Sequence, residues 1–368
     1  MTIEFSGREP AKQSHKQEAV AESNDSRRHR WAQLLHSYHY EPVIFDVLSD
    51  ELPKYTSSLA IDHTDIVTHM RECALILASA PRVFFAAVEG SLNTVIQERV
   101  HNQPSIYIHL LADEEGRAPS PVQYLLIRDM IQDYISGCPS EHANQIDNIM
   151  PTPVPLDVST QVHRKYLSTP STKHPPKRII ALTRLIAGIA DRCAQIPLDL
   201  HSMPLRYPPS EVGYALNAHK RLAQHRAHQS SNYVMNLVED IYTYLFRTNV
   251  LAQHYRLHQC VIYLIFRPSQ AAIAEIFCSG LLQCWVHLGG FNAYPAGRSI
   301  ASSLRVQMGE WDKHMNTAKE TGLLEGNMQI LRERAEIWRK ALEWGEENED
   351  GKMADEDPKT AVETMDVT

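Results

Sequence analysis

The chain has 368 residues, 43% of them hydrophobic, and carries a formal net charge of −8 at pH 7. A chain of this length and composition can bury a large core, in one large domain or in two smaller ones. Its six cysteines are scattered without a C-x-x-C pair, which argues against a disulfide framework and a zinc ribbon and fits a reduced intracellular setting.

Export and membrane signals are not evident in the sequence. Residues 1–30 contain no apolar stretch of signal-peptide length, and the longest apolar runs elsewhere are short or interrupted. We therefore expect an intracellular protein, nuclear or cytoplasmic and not secreted, that makes no membrane contact. Two basic stretches, "SRRHR" and "KHPPKR", are candidates for nuclear import, although ordinary surface charge explains them as well.

The predicted elements begin after a polar head. Residues 1–30 contain few aliphatic side chains, so we expect them to be disordered. Residues 31–137 form a predicted helical region, in which the clearest signal is "SPVQYLLIRDMIQDYISG". There Ser120 can cap a helix, Pro121 suits its first turn, and Gly137 suits the left-handed position that ends it.

A proline-rich range separates the two predicted helical parts. Residues 138–177 contain seven prolines and little apolar periodicity, which is typical of a linker or a long surface excursion. Residues 178–345 form the predicted helical core, in which one stripe of apolar side chains has helical spacing: Val234, Leu237, Val238, Ile241 and Leu245. No alternating strand series, internal repeat or glycine-rich phosphate loop is present. The sequence therefore predicts a mostly α fold, a multi-helix globular bundle with disordered N- and C-terminal tails.

The C-terminal part combines a heptad pattern with an acidic end. Apolar residues recur at alternating spacings of four and three and form a predicted interaction seam: Leu324, Met328, Leu331, Ala335, Trp338 and Leu342. This coiled-coil-like helix can pack on the protein's own bundle, or it can bind a protein partner or a second copy of the chain. Residues 346–368 are rich in acids, and we expect them to form a disordered tail.

Positive charge is concentrated in the middle of the chain. Between His163 and His228, eleven Lys or Arg residues stand against three acidic residues, which gives a net charge of +8. Such a cluster is either a solvated surface balanced by the acidic tail or an anion-binding face for a nucleic-acid backbone or a diphosphate. The candidate anion-binding residues are Lys220, Arg221, Arg226, Arg164, Lys165, Lys177 and Arg178. Stacking aromatics are sparse in this range, so we do not expect single-strand nucleic-acid binding.

The stretch "LVEDIYTYLFRTN", residues 237–249, resembles the second metal-binding helix of class I terpene cyclases. The aspartate-rich partner motif of that family has a counterpart in "LLADEEGR", 126 residues upstream. The resemblance implies a magnesium site for a prenyl diphosphate, with six candidate ligands: Asp113, Glu114, Glu115, Glu239, Asp240 and Thr243. Arg247 departs from the family pattern because a guanidinium has no lone pair for a cation. Judged from the residues alone, the polar positions are equally the solvent-facing side of a buried helix.

A histidine pair offers a further metal hypothesis. In "HYRLH", His254 and His258 have the i, i+4 spacing of zinc ligands on a helix, and Cys260 lies nearby. No third ligand can be named, and the glutamate base of the H-E-x-x-H motif is missing. Surface histidines on a helix are the other interpretation.

The stretch "CWVHLGGFNAYPAG" contains His287, Pro295 and Gly297. In these residues, and in overall size and composition, the chain resembles helical fungal mating-locus regulators described by a His-Pro-Gly domain. A helix that ends at Gly289 and is followed by a turn is the structural alternative. The leading prediction is a non-enzymatic regulatory or interaction protein, in transcription or development, whose basic centre meets an anionic partner. No cofactor is expected, and magnesium belongs only to the cyclase alternative.

Overall fold

The computed structural model describes residues 24–36, 40–51, 98–138, 140–150, 164–168, 175–296 and 305–320, together with residues 302, 329, 333, 336 and 340. The helices of these ranges are α1 (Asn24–His36), α2 (Tyr40–Glu51), α3 (Pro121–Ile135), α4 (Glu141–Asp147), α5 (Pro176–Ala194), α6 (Ala218–Arg226), α7 (Tyr233–Arg247), α8 (Gln270–Leu282) and α9 (Met308–Glu320). The strands are β1 (Ser105–Ala112), β2 (Ser210–Ala215) and β3 (Arg256–Leu264). The prediction of a mostly α fold is confirmed, and none of the described helices is long and apolar enough to span a membrane.

Helix α1 overlaps the predicted disordered head, which corrects that prediction for residues 24–30. Arg28 is buried and donates to the backbone carbonyls of Leu282 and Gln283. Arg30 donates to the carboxylate of Asp46 at 2.8 Å. The arginines of the stretch "SRRHR" therefore hold α1 against the fold. Residues 1–23, the predicted interaction seam and the acidic tail lie outside the described residues, so the statements about them stay predictions.

Helix α3 forms as its local sequence predicts. The side chain of Ser120 accepts a hydrogen bond from the backbone N–H of Gln123, and the side chain of Gln123 accepts one from the backbone N–H of Ser120. This capping box satisfies two N–H groups that the first turn leaves unpaired. Pro121 occupies the first turn, and Gly137 has a φ of +73°, the left-handed conformation that glycine adopts without strain. All three predicted positions are confirmed.

The main correction is an antiparallel sheet in the order β2-β1-β3. Its strands lie in the ranges 31–137 and 178–345, both of which were predicted to be helical. The alternation of apolar and polar residues that identifies a strand in a sequence is weak in β1 and β2, because almost every residue in them is buried. This pattern is expected when both faces of a strand are covered. His258 lies in β3 and His254 precedes that strand, so the helical zinc spacing does not exist. The zinc-pair hypothesis is wrong for this reason.

Two hydrophobic cores organise the described residues. The first lies between α2, α8 and one face of the sheet, where Ile106, Ile108 and Val212 are buried. The second joins α3, α4, α5 and α7. It includes Ile146 and Leu167, which belong to the proline-rich range. The described residues of the range 138–177 therefore contribute to the same core as the helices before and after them.

Candidate functional site

The second face of the sheet combines a small apolar cluster with a group of polar side chains. Tyr107 and His109 of β1 lie on it, because neighbouring residues of a strand point to opposite faces and Ile106 and Ile108 pack in the first core. Tyr107 is paired with Gly213 of β2. A Cβ atom at Gly213 would lie 2.5 Å from Cζ of Tyr107, so only glycine leaves room for that ring.

Each strand contributes one residue to a hydrogen-bonded row across this face. The register pairs His109 with Glu211 of β2 and with Gln259 of β3. Nδ1 of His109 lies 2.7 Å from a carboxylate oxygen of Glu211, and Nε2 of His109 lies 3.1 Å from Nε2 of Gln259. Burial alone would raise the pKa of Glu211, but the hydrogen bond to His109 and the charge of Arg221 act against it, and the pKa lies below its ordinary value. We call Glu211, His109 and Gln259 the polar row.

Helix α6 lies against this face and is fastened to it through Tyr107. Nε2 of His225 lies 3.1 Å from the Tyr107 hydroxyl, and Nε of Arg221 donates to the same hydroxyl at 3.5 Å. His225 is buried, and burial lowers its pKa to about 3, although the charge of Glu211 acts in the opposite direction. The contact between helix and sheet therefore depends on a neutral imidazole.

The outer side of α6 carries positive charge and no acid. The helix has the sequence AHKRLAQHR, and Asn217 caps it by accepting a hydrogen bond from the backbone N–H of Lys220 at 2.8 Å. Lys220 and Arg226 are exposed, and Arg221 is half-buried. Nη1 of Arg226 donates to Oε1 of Gln259 at 2.6 Å, which links the surface to the polar row. We call Lys220, Arg221 and Arg226 the cationic surface of α6.

The seven predicted anion-binding residues lie in three places. Arg164 is buried and donates to Oδ1 of Asn144 at 2.7 Å, and Nζ of Lys165 lies 3.0 Å from the carboxylate of Asp240. Arg178 donates to backbone carbonyls of the segment 164–168. These three cations anchor that segment to the second core, which corrects their assignment to an anion-binding face. Lys177 is exposed in the first turn of α5, and the remaining three residues form the cationic surface of α6.

The predicted magnesium ligands are distributed among separate contacts. Asp240 is paired with Lys165 as described above, and Glu239 accepts a hydrogen bond from the backbone N–H of Leu257 at 3.2 Å. The other four have these surroundings: Asp113 accepts from Nε of Arg117 at 3.0 Å, Glu115 pairs with Arg117, Thr243 lies 3.2 Å from Nε2 of His254, and Glu114 is exposed. In the described ranges, no three His, Cys, Asp or Glu side chains form a group that could hold a metal ion. The cyclase interpretation stays a prediction.

The His-Pro-Gly motif lies in an irregular segment after α8. Helix α8 ends at Leu282, and a short 3-10 helix, Val286–Leu288, follows it and carries the exposed His287. This short helix ends at Gly289, whose φ of +72° is the left-handed conformation expected of a helix end at Gly289-Gly290. Pro295 is half-buried, and Gly297 lies outside the described residues. No protein-family model matches the chain, and comparisons with curated proteins and with solved structures find no match. The resemblance to mating-locus regulators therefore depends on the sequence motif alone.

Sequence reasoning missed the residues beneath the cationic surface: Tyr107, His109, Glu211, His225 and Gln259. One signal was available, since His109 interrupts the otherwise apolar run "IYIHLL" and a histidine in that position needs buried partners. Those partners are 102 and 150 residues away in the chain. Their pairing depends on strand register, which one sequence does not define.

Proposed function

We propose that this protein is a non-enzymatic regulatory protein that binds the backbone of duplex nucleic acid through the cationic surface of α6. The observation that carries the proposal is the pair of exposed cations, Lys220 and Arg226, on a helix without acidic residues. Phosphate contacts of this kind provide affinity and orientation without reading base sequence. The sparse aromatic residues of the basic region favour a duplex over a single strand.

The contacts of α6 support this proposal because they make the surface rigid. Tyr107 and His225 fasten the inner side of the helix to a three-stranded sheet. A helix held in this way presents its cations in a constant arrangement, which reduces the entropy lost on binding. A nuclear location and a role in transcription or development would accompany duplex binding. A protein partner or a second copy at the seam from Leu324 to Leu342 remains a separate prediction.

Binding of a fluorescent DNA duplex, measured by anisotropy as the salt concentration rises, tests the proposal. The double variant Lys220→Ala/Arg226→Ala should weaken binding and lower the slope of log affinity against log salt by about 2, because each substitution removes one cation that pairs with a phosphate. The matched control is Arg184→Ala/Arg247→Ala, which removes the same charge from exposed positions of α5 and α7. Equal effects of the two double variants, or no binding by the wild type, would refute the proposal.

A further inference from the structure

The polar row continues beyond the sheet and ends at a surface cation. Glu211 contacts His109 at 2.7 Å, His109 contacts Gln259 at 3.1 Å, and Gln259 accepts from Arg226 at 2.6 Å. Four side chains from β2, β1, β3 and α6 thus form one continuous path from a buried carboxylate to the protein surface.

We infer that this path holds Arg226 in a fixed orientation as a phosphate contact, so that the cationic surface recognises phosphodiester groups by geometry as well as by charge. The inference rests on the proposed function. It assigns to Gln259 and His109 a role as positioning residues, because neither contacts the ligand and each acts through Arg226.

The hydrogen-bonding directions along the path are fixed by its buried end. The ionised carboxylate of Glu211 only accepts, so Nδ1 of His109 carries the proton that it donates. The NH2 group of Gln259 lies 3.1 Å from Nε2 of His109 and donates to it. The second N–H of that amide donates to the backbone carbonyl of Leu222 at 3.3 Å.

This arrangement leaves one orientation for the amide of Gln259. A rotated amide would place Oε1 against two acceptors, the Leu222 carbonyl and Nε2 of His109. Oε1 therefore points outward, where it accepts from Nη1 of Arg226. The directions of these bonds follow from two groups that only accept, the carboxylate of Glu211 and the backbone carbonyl of Leu222.

A positioned arginine differs from a mobile one as a ligand for phosphate. A guanidinium offers two parallel N–H groups to a phosphate, whereas a lysine ammonium acts as a point charge. With Nη1 engaged by Gln259, Arg226 has no other hydrogen-bond partner among the described residues, which leaves further N–H donors for a ligand. Binding then loses less side-chain entropy than it would with a freely rotating arginine.

Two substitutions that preserve net charge test the inference with the DNA duplex of the previous section. Gln259→Met removes the last link of the path and leaves every charge in place. Arg226→Lys keeps the charge and removes the planar fork. We expect each to weaken duplex binding by roughly three- to tenfold, the effect of one side chain that must be ordered on binding. Neither should change the salt slope, because the number of cations is unchanged.

The controls separate this inference from the proposed function. Gln253→Met makes the same substitution at an exposed position that contacts Gln123 and should bind the duplex like the wild type. Arg226→Ala should lower both affinity and salt slope. If Gln259→Met does not fold, as judged by circular dichroism, Arg226→Lys at the surface decides the question. If Arg226→Lys binds the duplex as tightly as the wild type does, the inference about Arg226 is overturned and the proposed function stands. If the wild type itself does not bind the duplex, the inference and the proposed function are both overturned.

Discussion

Lowering the pH from 7 to 5 should destabilise the fold through His225. Its pKa lies near 3 in the folded protein, against an ordinary value of 6.5. Below pH 6.5 the unfolded chain takes up a proton that the folded protein does not, so this contribution to stability is present above pH 6.5 and is lost as the pH falls toward 3. At about 1.4 kcal/mol for each pH unit, the step from pH 6.5 to 5 removes roughly 2 kcal/mol.

Asp147 acts in the opposite direction. Burial raises its pKa to about 6 from the ordinary 3.8, although Tyr134 and Arg164 lower it in part. The folded protein therefore binds this proton first, and acidification from pH 6 to 5 stabilises the fold by about 1.4 kcal/mol. The two effects nearly cancel and together amount to a loss of only about 0.6 kcal/mol between pH 7 and pH 5. Burial also lowers the pKa values of His254 and His314, which adds to the loss in the wild type and in every variant alike.

Two variants separate the contributions. His225→Gln removes the titration and retains an amide that can meet Tyr107, so the variant should lose about 2 kcal/mol less than the wild type between pH 7 and pH 5. Asp147→Asn removes the opposing titration, and this variant should lose about 1.4 kcal/mol more than the wild type over the same interval.

Urea unfolding of the three proteins at both pH values measures these free energies. The charged and titratable groups that face His225 are Glu211, His109, Arg221 and His228. They are present in the wild type and in both variants, so their own titration cancels in the comparison. Parallel pH dependences of all three proteins would refute the argument, because they would mean that His225 takes up its proton equally in the folded and unfolded states.

Two further substitutions test the packing on either side of the site. Gly213→Ala would bring a Cβ atom to 2.5 Å from the ring of Tyr107, and urea unfolding should show that the free energy of unfolding falls by about 1–3 kcal/mol. The control Gly309→Ala, where no atom lies within 4 Å, should change it by less than about 0.5 kcal/mol. Equal effects of the two substitutions would contradict the close approach of Tyr107 to Gly213. Asp240→Asn leaves the buried Lys165 without its partner carboxylate and should lower the free energy of unfolding by about 3–5 kcal/mol. The control Asp129→Asn breaks an exposed ion pair and should lower it by at most about 1 kcal/mol. A loss at Asp240 as small as that at Asp129 would show that the ion pair of Asp240 is not buried.

Local features of the fold could be predicted from the sequence, and pairings between distant residues could not. Ser120 and Pro121 define the start of α3 because a helix cap depends on neighbours within a single turn. The strands were missed because β2 has six residues, all buried, and because its partner β1 lies about a hundred positions earlier in the chain. Pairings with such separation depend on tertiary packing, which overrides local propensity.

The basic region illustrates the same limit at the level of the site. Lys165 and Lys220 look equivalent in the sequence, yet Lys165 pairs with Asp240, 75 residues away, and Lys220 remains exposed. Net charge therefore identified the region and could not identify which of its cations are available to a partner.

Arg226 is available to a ligand because the polar row separates it from the buried carboxylate of Glu211. A surface arginine beside Glu211 would pair with it directly, and the cationic surface would lose one of its charges. Here His109 and Gln259 stand between the two, so the carboxylate determines the direction of the hydrogen bonds without neutralising the guanidinium. A hydrogen-bonded path of this kind allows an acidic residue to stabilise the site from the inside while the outside stays positive. The three strands are needed for it, because only the register of the sheet places Glu211, His109 and Gln259 in one row.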